Sequence, residues 1–209
     1  MASEPRLPLR RTNDSTGKSA IILGSLAVIE CGWVALNFRV NGWKFVRYIG
    51  FAPGLSGTLA GWVAAMLVFM LFVGFSLRLP SVRENLFRPS WLKLLAVAVA
   101  IGAGILEEVV FRRWTMNWLL AQGFGPVLQI LGSGLLFGAA HAIWGLMGKS
   151  MRAAGGAMLA TSLLGAMLGV VFILSGRSVT TCIAAHFLIN LLIEPGLVLA
   201  ATRGEMARG

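Results

Sequence analysis

Both histidines of this chain, His141 and His186, lie inside apolar stretches, as does Asn190, one helical turn beyond His186. Glu107, Glu108 and Arg112 form the compact string EEVVFR (107–112) within a third apolar stretch. A charged side chain at the centre of a membrane helix costs roughly 2.5–3.5 kcal/mol, so each such residue needs a partner or a task. Taken singly, each has an ordinary explanation. Glu108 and Arg112 are four residues apart and can neutralise each other on one helix face. A histidine in a helix can be a packing residue, and Asn190 can be an interhelical hydrogen-bond partner worth about 0.6 kcal/mol. Taken together they carry more weight. Two carboxylates, an arginine, two imidazoles and an amide on three segments are the ingredients of general acid–base chemistry on a carbonyl group.

The surroundings are those of a membrane. Of 209 residues, 57% are hydrophobic and 26 are glycine, whereas only 12% are charged, about half the globular share. A mean hydropathy of +0.80 leaves too little polar surface to cover a water-soluble body. The formal charge of +10 comes from residues that punctuate apolar runs, such as Arg39, Lys44 and Arg47 or Arg78, Arg83 and Arg88. That is the pattern of membrane topology and anionic headgroups, not of a nucleic-acid-binding face. Cys31 and Cys182 sit within apolar runs without metal-like spacing and read as small core residues.

The elements that must position the polar groups follow from the apolar runs. Residues 1–18 read as a polar tail, and Ser19–Phe38 as an uncleaved membrane anchor, too long for a signal-peptide core. Gly57–Leu77 is a second span, followed by a basic loop, Arg78–Ser90. Trp91–Leu120 is either one helix of roughly 45 Å or two pieces broken near Gly102 and Gly104. Gly123–Met147, Ala153–Ser175 and Val179–Ala201 are three more spans, with links at Lys149–Arg152 and Gly176–Arg177. The expected fold is all-α, a polytopic transmembrane bundle of six to eight helices. Residues 19–90 supply the N-terminal helices and loops, 91–201 a catalytic core, and 202–209 a tail. The small-residue pairs Gly134/Gly138 and Gly165/Gly169 suit close helix packing in lipid.

Spacing brings the glutamates and His141 together. A turn at Gln122–Pro126 leaves Glu107 sixteen residues before Gly123 and His141 sixteen residues after Gly125. In an antiparallel pair the two then lie at similar depth. This reasoning favours the break near Gly102–Gly104, since a single unbroken span from Trp91 would end near Trp114 and carry Glu107 toward the opposite face from His141. His186 fits less well: counted from Arg177 it is roughly 10 Å too shallow, a gap that tilt or a sunken loop must close. With the break, nine basic residues fall on one side and seven on the other, so charge does not orient the chain.

EEVVFR (Glu107, Glu108, Arg112), FGAAH (Phe137, His141) and HFLIN (His186, Asn190) together resemble the signature of the CAAX-processing and bacteriocin-processing family of intramembrane proteases, which includes the type II CAAX prenyl endopeptidases. The resemblance covers about residues 91–195. One departure is Arg113, where a small residue commonly follows the motif arginine. The resemblance implies that Glu107 with His141 activates a water, that His186 and Asn190 hold the oxyanion or help ligate a metal, and that Glu108 and Arg112 brace the helix, with Phe137 in support.

The family is often labelled metalloprotease, and Glu107, His141 and His186 would make a three-ligand site for Zn²⁺ or another divalent metal. No HExxH motif is present, and a metal-free glutamate mechanism fits equally well. The implied partners are a peptide or lipidated protein substrate and the lipid bilayer, with no nucleic acid. The implied location is multi-pass in a bacterial cytoplasmic membrane. Two other classes compete: a transporter using the same groups as a proton pathway, and a catalytically idle immunity or scaffold protein. Glu194, eight residues after His186 on the face of Asn190, reads as an interfacial carboxylate, with the mouth of the cavity as its alternative place, and Glu30 stands in no motif.

Overall fold

The structure is a computed structural model that describes residues 9–143 and 151–207, with side chains from Ser15 onward. The described residues are helical throughout, without strands. The helices are α1 (Leu9–Asn41), α2 (Trp43–Tyr48), α3 (Leu59–Ser76), α4 (Pro80–Asn85), α5 (Trp91–Glu108), α6 (Asn117–Ala121), α7 (Pro126–His141), α8 (Met151–Leu174) and α9 (Thr180–Arg203). Five stretches are long and apolar enough to cross a membrane: Ser15–Asn41, Leu59–Ser76, Trp91–Ala121, Met151–Leu174 and Thr180–Arg203, with α7 a shorter apolar helix beside them. The protein is a polytopic helical membrane protein. Its lipid-facing character is plain in the outward side chains, among them Leu59, Val28, Leu159 and Leu71, all more than half exposed. In water this would be untenable, whereas hydrocarbon tails cover it at no cost.

Several boundaries differ from those read in the sequence. Helix α1 begins at Leu9, so the polar residues 9–18 continue the first span, while residues 1–8 lie outside the described chain. The basic loop Arg78–Ser90 contains α4, which starts on Pro80, where a missing N–H costs nothing. The expected end of the Gly123–Met147 span and part of the Lys149–Arg152 link lie outside the described residues.

The expected break at Gly102–Gly104 does not exist. Trp91–Ala121 is one continuous stretch of 31 residues, roughly 46 Å long and well over the ~30 Å hydrocarbon thickness, which a tilted helix accommodates. These glycines serve approach rather than rupture. A Cβ at Gly102 would come within 2.6 Å of the Glu30 Cβ and 3.0 Å of the Cys31 backbone nitrogen, and one at Gly104 would touch the backbone of α9 at Ile183 and Phe187. Helix α5 is thereby clasped between α1 and α9. A similar seam joins α7 to α8. A Cβ at Gly134 would meet the backbone at Ser162 and Ala166 at 2.9 Å, and one at Gly165 would meet Phe137 at 2.9 Å. The packing reading of the small-residue pairs holds.

In place of a break, the long helix carries a π-helical stretch, Val109–Met116, directly after the two glutamates. The Thr115 hydroxyl donates back to the Val110 carbonyl at 2.9 Å, and Ser133 of α7 donates to the Phe111 carbonyl at 3.0 Å. The π stretch contains Arg112, which is fully buried.

Continuity of α5 also redistributes charge. Among the described segments, Arg10, Arg11, Lys18, Arg78, Arg83, Arg88, Lys93, Arg152 and Arg203 lie toward the end of the bundle where α1 begins. Arg39, Lys44, Arg47, Arg113 and Arg177 lie toward the other end. The Ser19–Thr202 hydrogen bond at 3.1 Å shows that α1 begins beside the end of α9. The nine-to-seven split obtained with a broken helix becomes a clear excess, from which the positive-inside rule predicts a cytosolic α1 start. In a background without Cys31 and Cys182, an impermeant maleimide added to intact cells should label Pro53→Cys and spare Arg83→Cys. The reverse labelling would show that the charge excess does not set the topology.

Candidate active site

The site is built around the π-helical stretch and the two helices packed on it. Glu108 is fully buried, and its Oε1 accepts from Arg112 Nη1 at 3.0 Å and from His186 Nδ1 at 2.7 Å. Arg112, also fully buried, uses Nη2 to donate to the Gly165 carbonyl of α8 at 2.8 Å. One carboxylate oxygen thus ties α5 to α9, and its arginine ties α5 to α8. The expectation that Glu108 and Arg112 neutralise each other is met, and His186 is a third member of the group.

These bonds decide the proton positions on the two imidazoles. A carbonyl oxygen only accepts, so the 2.8 Å contact of His141 Nδ1 with the Phe137 carbonyl makes that nitrogen the N–H. An ionised carboxylate likewise only accepts, so His186 Nδ1 carries its proton toward Glu108. Both neutral rings therefore keep a bare Nε2. Both bare nitrogens face Glu107, with Oε2 at 3.7 Å from His141 Nε2 and 3.8 Å from His186 Nε2. Glu107 Oε2 is itself buried and has no hydrogen-bond partner. Three acceptors on three helices converge on one spot, where a bridging group must be a donor or a cation. Glu107 and His141 are about one-fifth exposed and His186 is 2% exposed, so the spot is reached from the side of the first two.

Phe137 explains how the rings hold their places. It is fully buried, stacks on His141 with centroids 4.4 Å apart, meets His186 edge-on at 5.7 Å and lies under Arg112 at 4.9 Å. Asn190 is buried one turn along α9 from His186, on the same face. The depth mismatch of His186 is removed by a sunken α8–α9 turn. Arg177 in that turn donates to Asn117 at 2.9 Å and to Gln129, a full turn inside α7, at 3.0 Å. The depth match of Glu107 with His141 survives without the broken helix, because the turn at Gln122–Pro126 alone sets it.

Two carboxylates prove closer to this centre than their sequence context indicated. Glu30 of α1 is 7% exposed with Oε2 buried and unpartnered, and it is within charge–charge range of Glu107. Glu194, read as interfacial, is partly buried and acts electrostatically on Glu107, Glu30 and His186. The available signal for Glu30 was its cost: a carboxylate inside an apolar span without a neighbouring cation.

The donor types at the centre, two bare imidazole nitrogens and a carboxylate oxygen, are those of a three-ligand divalent-metal site with an open position. Ligand atoms of one tetrahedral zinc would lie about 3.3 Å apart, somewhat closer than the 3.7 and 3.8 Å found. Among the described residues, no group of three His, Cys, Asp or Glu side chains is already closed to metal-binding geometry.

Residues 89–192 match the family model of the type II CAAX prenyl endopeptidase Rce1-like proteins. The matched segment, about half of the chain, contains Glu107, Glu108, Arg112, Phe137, His141, His186 and Asn190 and supports assignment at the level of that family. No curated protein and no solved structure matches the chain. The buried Glu–His contacts are of the kind an intramembrane hydrolytic site requires.

The shared carboxylate yields a stability prediction. Removing one member of a buried charged group leaves the others uncompensated, at a cost of about 3–5 kcal/mol. Glu108→Ala should therefore lower the thermal midpoint of the detergent-solubilised protein sharply, whereas Glu108→Leu combined with Arg112→Met should recover most of the loss. Equal stability of the single and double variants would remove Glu108 from its bracing role.

Proposed function

We propose that this protein is an intramembrane endopeptidase that hydrolyses a peptide bond of a membrane-associated or lipidated, CAAX-like peptide or protein. The observation that carries the reading is the convergence of Glu107 Oε2 with the Nε2 atoms of His141 and His186.

In this reading a water held by Glu107 and His141 attacks the scissile carbonyl carbon. Glu107 takes one of the water's protons as the C–O bond forms, and the carbonyl oxygen becomes an oxyanion. Asn190 donates an amide N–H to that oxygen. His186 donates through Nε2 when it carries a second proton, with Glu108 accepting from its Nδ1. Glu107 then returns its proton to the leaving nitrogen, the C–N bond breaks, and a carboxylic acid and an amine depart. Arg112 holds Glu108 in place, and Phe137 sets both ring planes. Placing the donors in a water-poor site raises their worth to the transition state, because little solvent competes for the charge.

Donor chemistry also favours a metal-assisted version. Glu107, His141 and His186 would hold a divalent cation, which would supply a Lewis acid for the carbonyl or the water. A strong chelator separates the two versions: full activity after exhaustive chelation leaves the glutamate mechanism, whereas a loss restored by added Zn²⁺ assigns the metal.

The reading is tested with purified protein in proteoliposomes and a library of lipidated and unlipidated peptides. Glu107→Gln should reduce cleavage by at least about a hundredfold, the usual range for a lost general base, while the protein inserts and unfolds as before. Undiminished cleavage by that variant would falsify the assignment of Glu107. Proton flux that depends on Glu107, without hydrolysis of any peptide, would instead favour transport.

A further inference from the structure

At the end of the bundle opposite the α1 start lies a cavity of about 370 Å³ lined by Arg47, Arg113 and Arg177, together with the glycine-rich loop after α2 and the α8–α9 turn. Its charge is unusual for its setting. No Asp or Glu occurs between Glu30 and Glu84 or between Glu108 and Glu194, so the segments that form the cavity contain no carboxylate. Three arginines line one hollow, and the segments that form it supply no acid to meet them.

Arg177 is held there against its conformational preference. Gly176 and Arg177 have φ of 70° and 65°, and Arg177 is the sole non-glycine residue with positive φ among those described. A β-carbon disfavours this left-handed region, where glycine or asparagine is usual. Its Nε and Nη1 are fixed by Asn117 and Gln129, but its Nη2 is buried and has no acceptor. Arg113, the departure from the family motif, lies over the Tyr48 ring at 4.7 Å, and Tyr48 accepts from the Trp114 indole at 2.9 Å. Trp43, Trp114 and Trp118 are at least half exposed at the same end of the bundle, the arrangement of aromatic anchors at a headgroup layer. Tyr48 and Trp114 also line a second hollow of about 310 Å³, walled by Trp33, Phe45 and Val109 on its apolar side and by Asn37, Asn41 and Lys44 on its polar side. A basic pocket thus adjoins a partly apolar cleft.

We infer that this cavity binds the phosphate of an anionic phospholipid headgroup, with Arg47 and Arg113 as its ligands, Arg177 as a fixed charge in the wall, and an acyl chain along the apolar side of the adjoining cleft. Arginine suits phosphate because its planar fork donates two parallel hydrogen bonds to two oxygens. Arg177 is held by its two side-chain partners, with Nη2 buried, and so contributes fixed positive charge at the cavity wall. Arg47 is exposed and Arg113 half-buried, so both are able to close on an entering headgroup. The inference is independent of peptide hydrolysis, since a protein with Glu107 replaced retains all three arginines.

The test uses the full chain in a neutral detergent. Tryptophan fluorescence is followed during titration with dihexanoyl phosphatidylglycerol, dihexanoyl phosphatidylcholine or inorganic phosphate. Phosphatidylglycerol should bind at least tenfold more tightly than phosphatidylcholine, with an affinity that falls as salt rises. The double variant Arg47→Gln, Arg113→Gln should lose at least tenfold in that affinity while melting at the parent temperature. If the variant does not fold, the lipid preference and salt dependence of the unaltered protein decide the matter alone. Equal binding of the two lipids, or undiminished phosphatidylglycerol binding by the folded double variant, overturns the proposal. Inorganic phosphate binding as tightly as phosphatidylglycerol also overturns it, by assigning the pocket to a free anion.

Discussion

The arrangement of this protein depends on one carboxylate oxygen, Glu108 Oε1, which lies out of water and accepts from both Arg112 and His186. A charge in a low-dielectric interior is tolerable only when its partners are fixed at hydrogen-bonding distance, because little solvent is available to take their place. That requirement constrains three helices at once. It sets α9 against α5 through His186 and α8 against α5 through Arg112 and the Gly165 carbonyl. It also commits the His186 Nδ1 proton, leaving the opposite nitrogen of the ring directed at Glu107.

Meeting those distances requires backbones to approach closely, which explains how glycine is used here. Gly102 admits α1 to α5, and Gly134, Gly138 and Gly165 let α7 sink against α8 until Phe137 reaches both imidazoles and Arg112. In lipid there is no hydrophobic gain from bringing helices together, so this intimacy rests on van der Waals contact and on the buried polar group. The π-helical stretch lies at the same place: it begins one residue after Glu108 and contains Arg112.

Polar chemistry in the bundle is divided by position. The acidic groups Glu30, Glu107, Glu108 and Glu194 gather around the two imidazoles, whereas the end of the bundle at Arg47, Arg113 and Arg177 has no acid at all. Glu107 lies six residues before Arg113, roughly 9 Å along the helix axis. An acidic centre next to a basic rim makes a steep local field, which in a water-poor setting is screened only weakly.

Much of this was legible in the residues themselves. Composition and apolar run lengths determined a helical membrane bundle, because lipid leaves the backbone few ways to satisfy its hydrogen bonds. The cost of burying charge marked EEVVFR, His141, His186 and Asn190 as a set, and equal spacing about Gln122–Pro126 put Glu107 level with His141. Tertiary structure alone decided that Trp91–Ala121 runs unbroken, since a glycine can end a helix or admit a neighbour, and only the neighbours, Glu30 and the backbone of α9, show which. It alone brought Glu30 to the site and sank the α8–α9 turn onto Gln129. Local sequence encodes the period of a helix and the price of a charge. It does not encode which distant segment packs against it, because that is settled by the fit of whole surfaces.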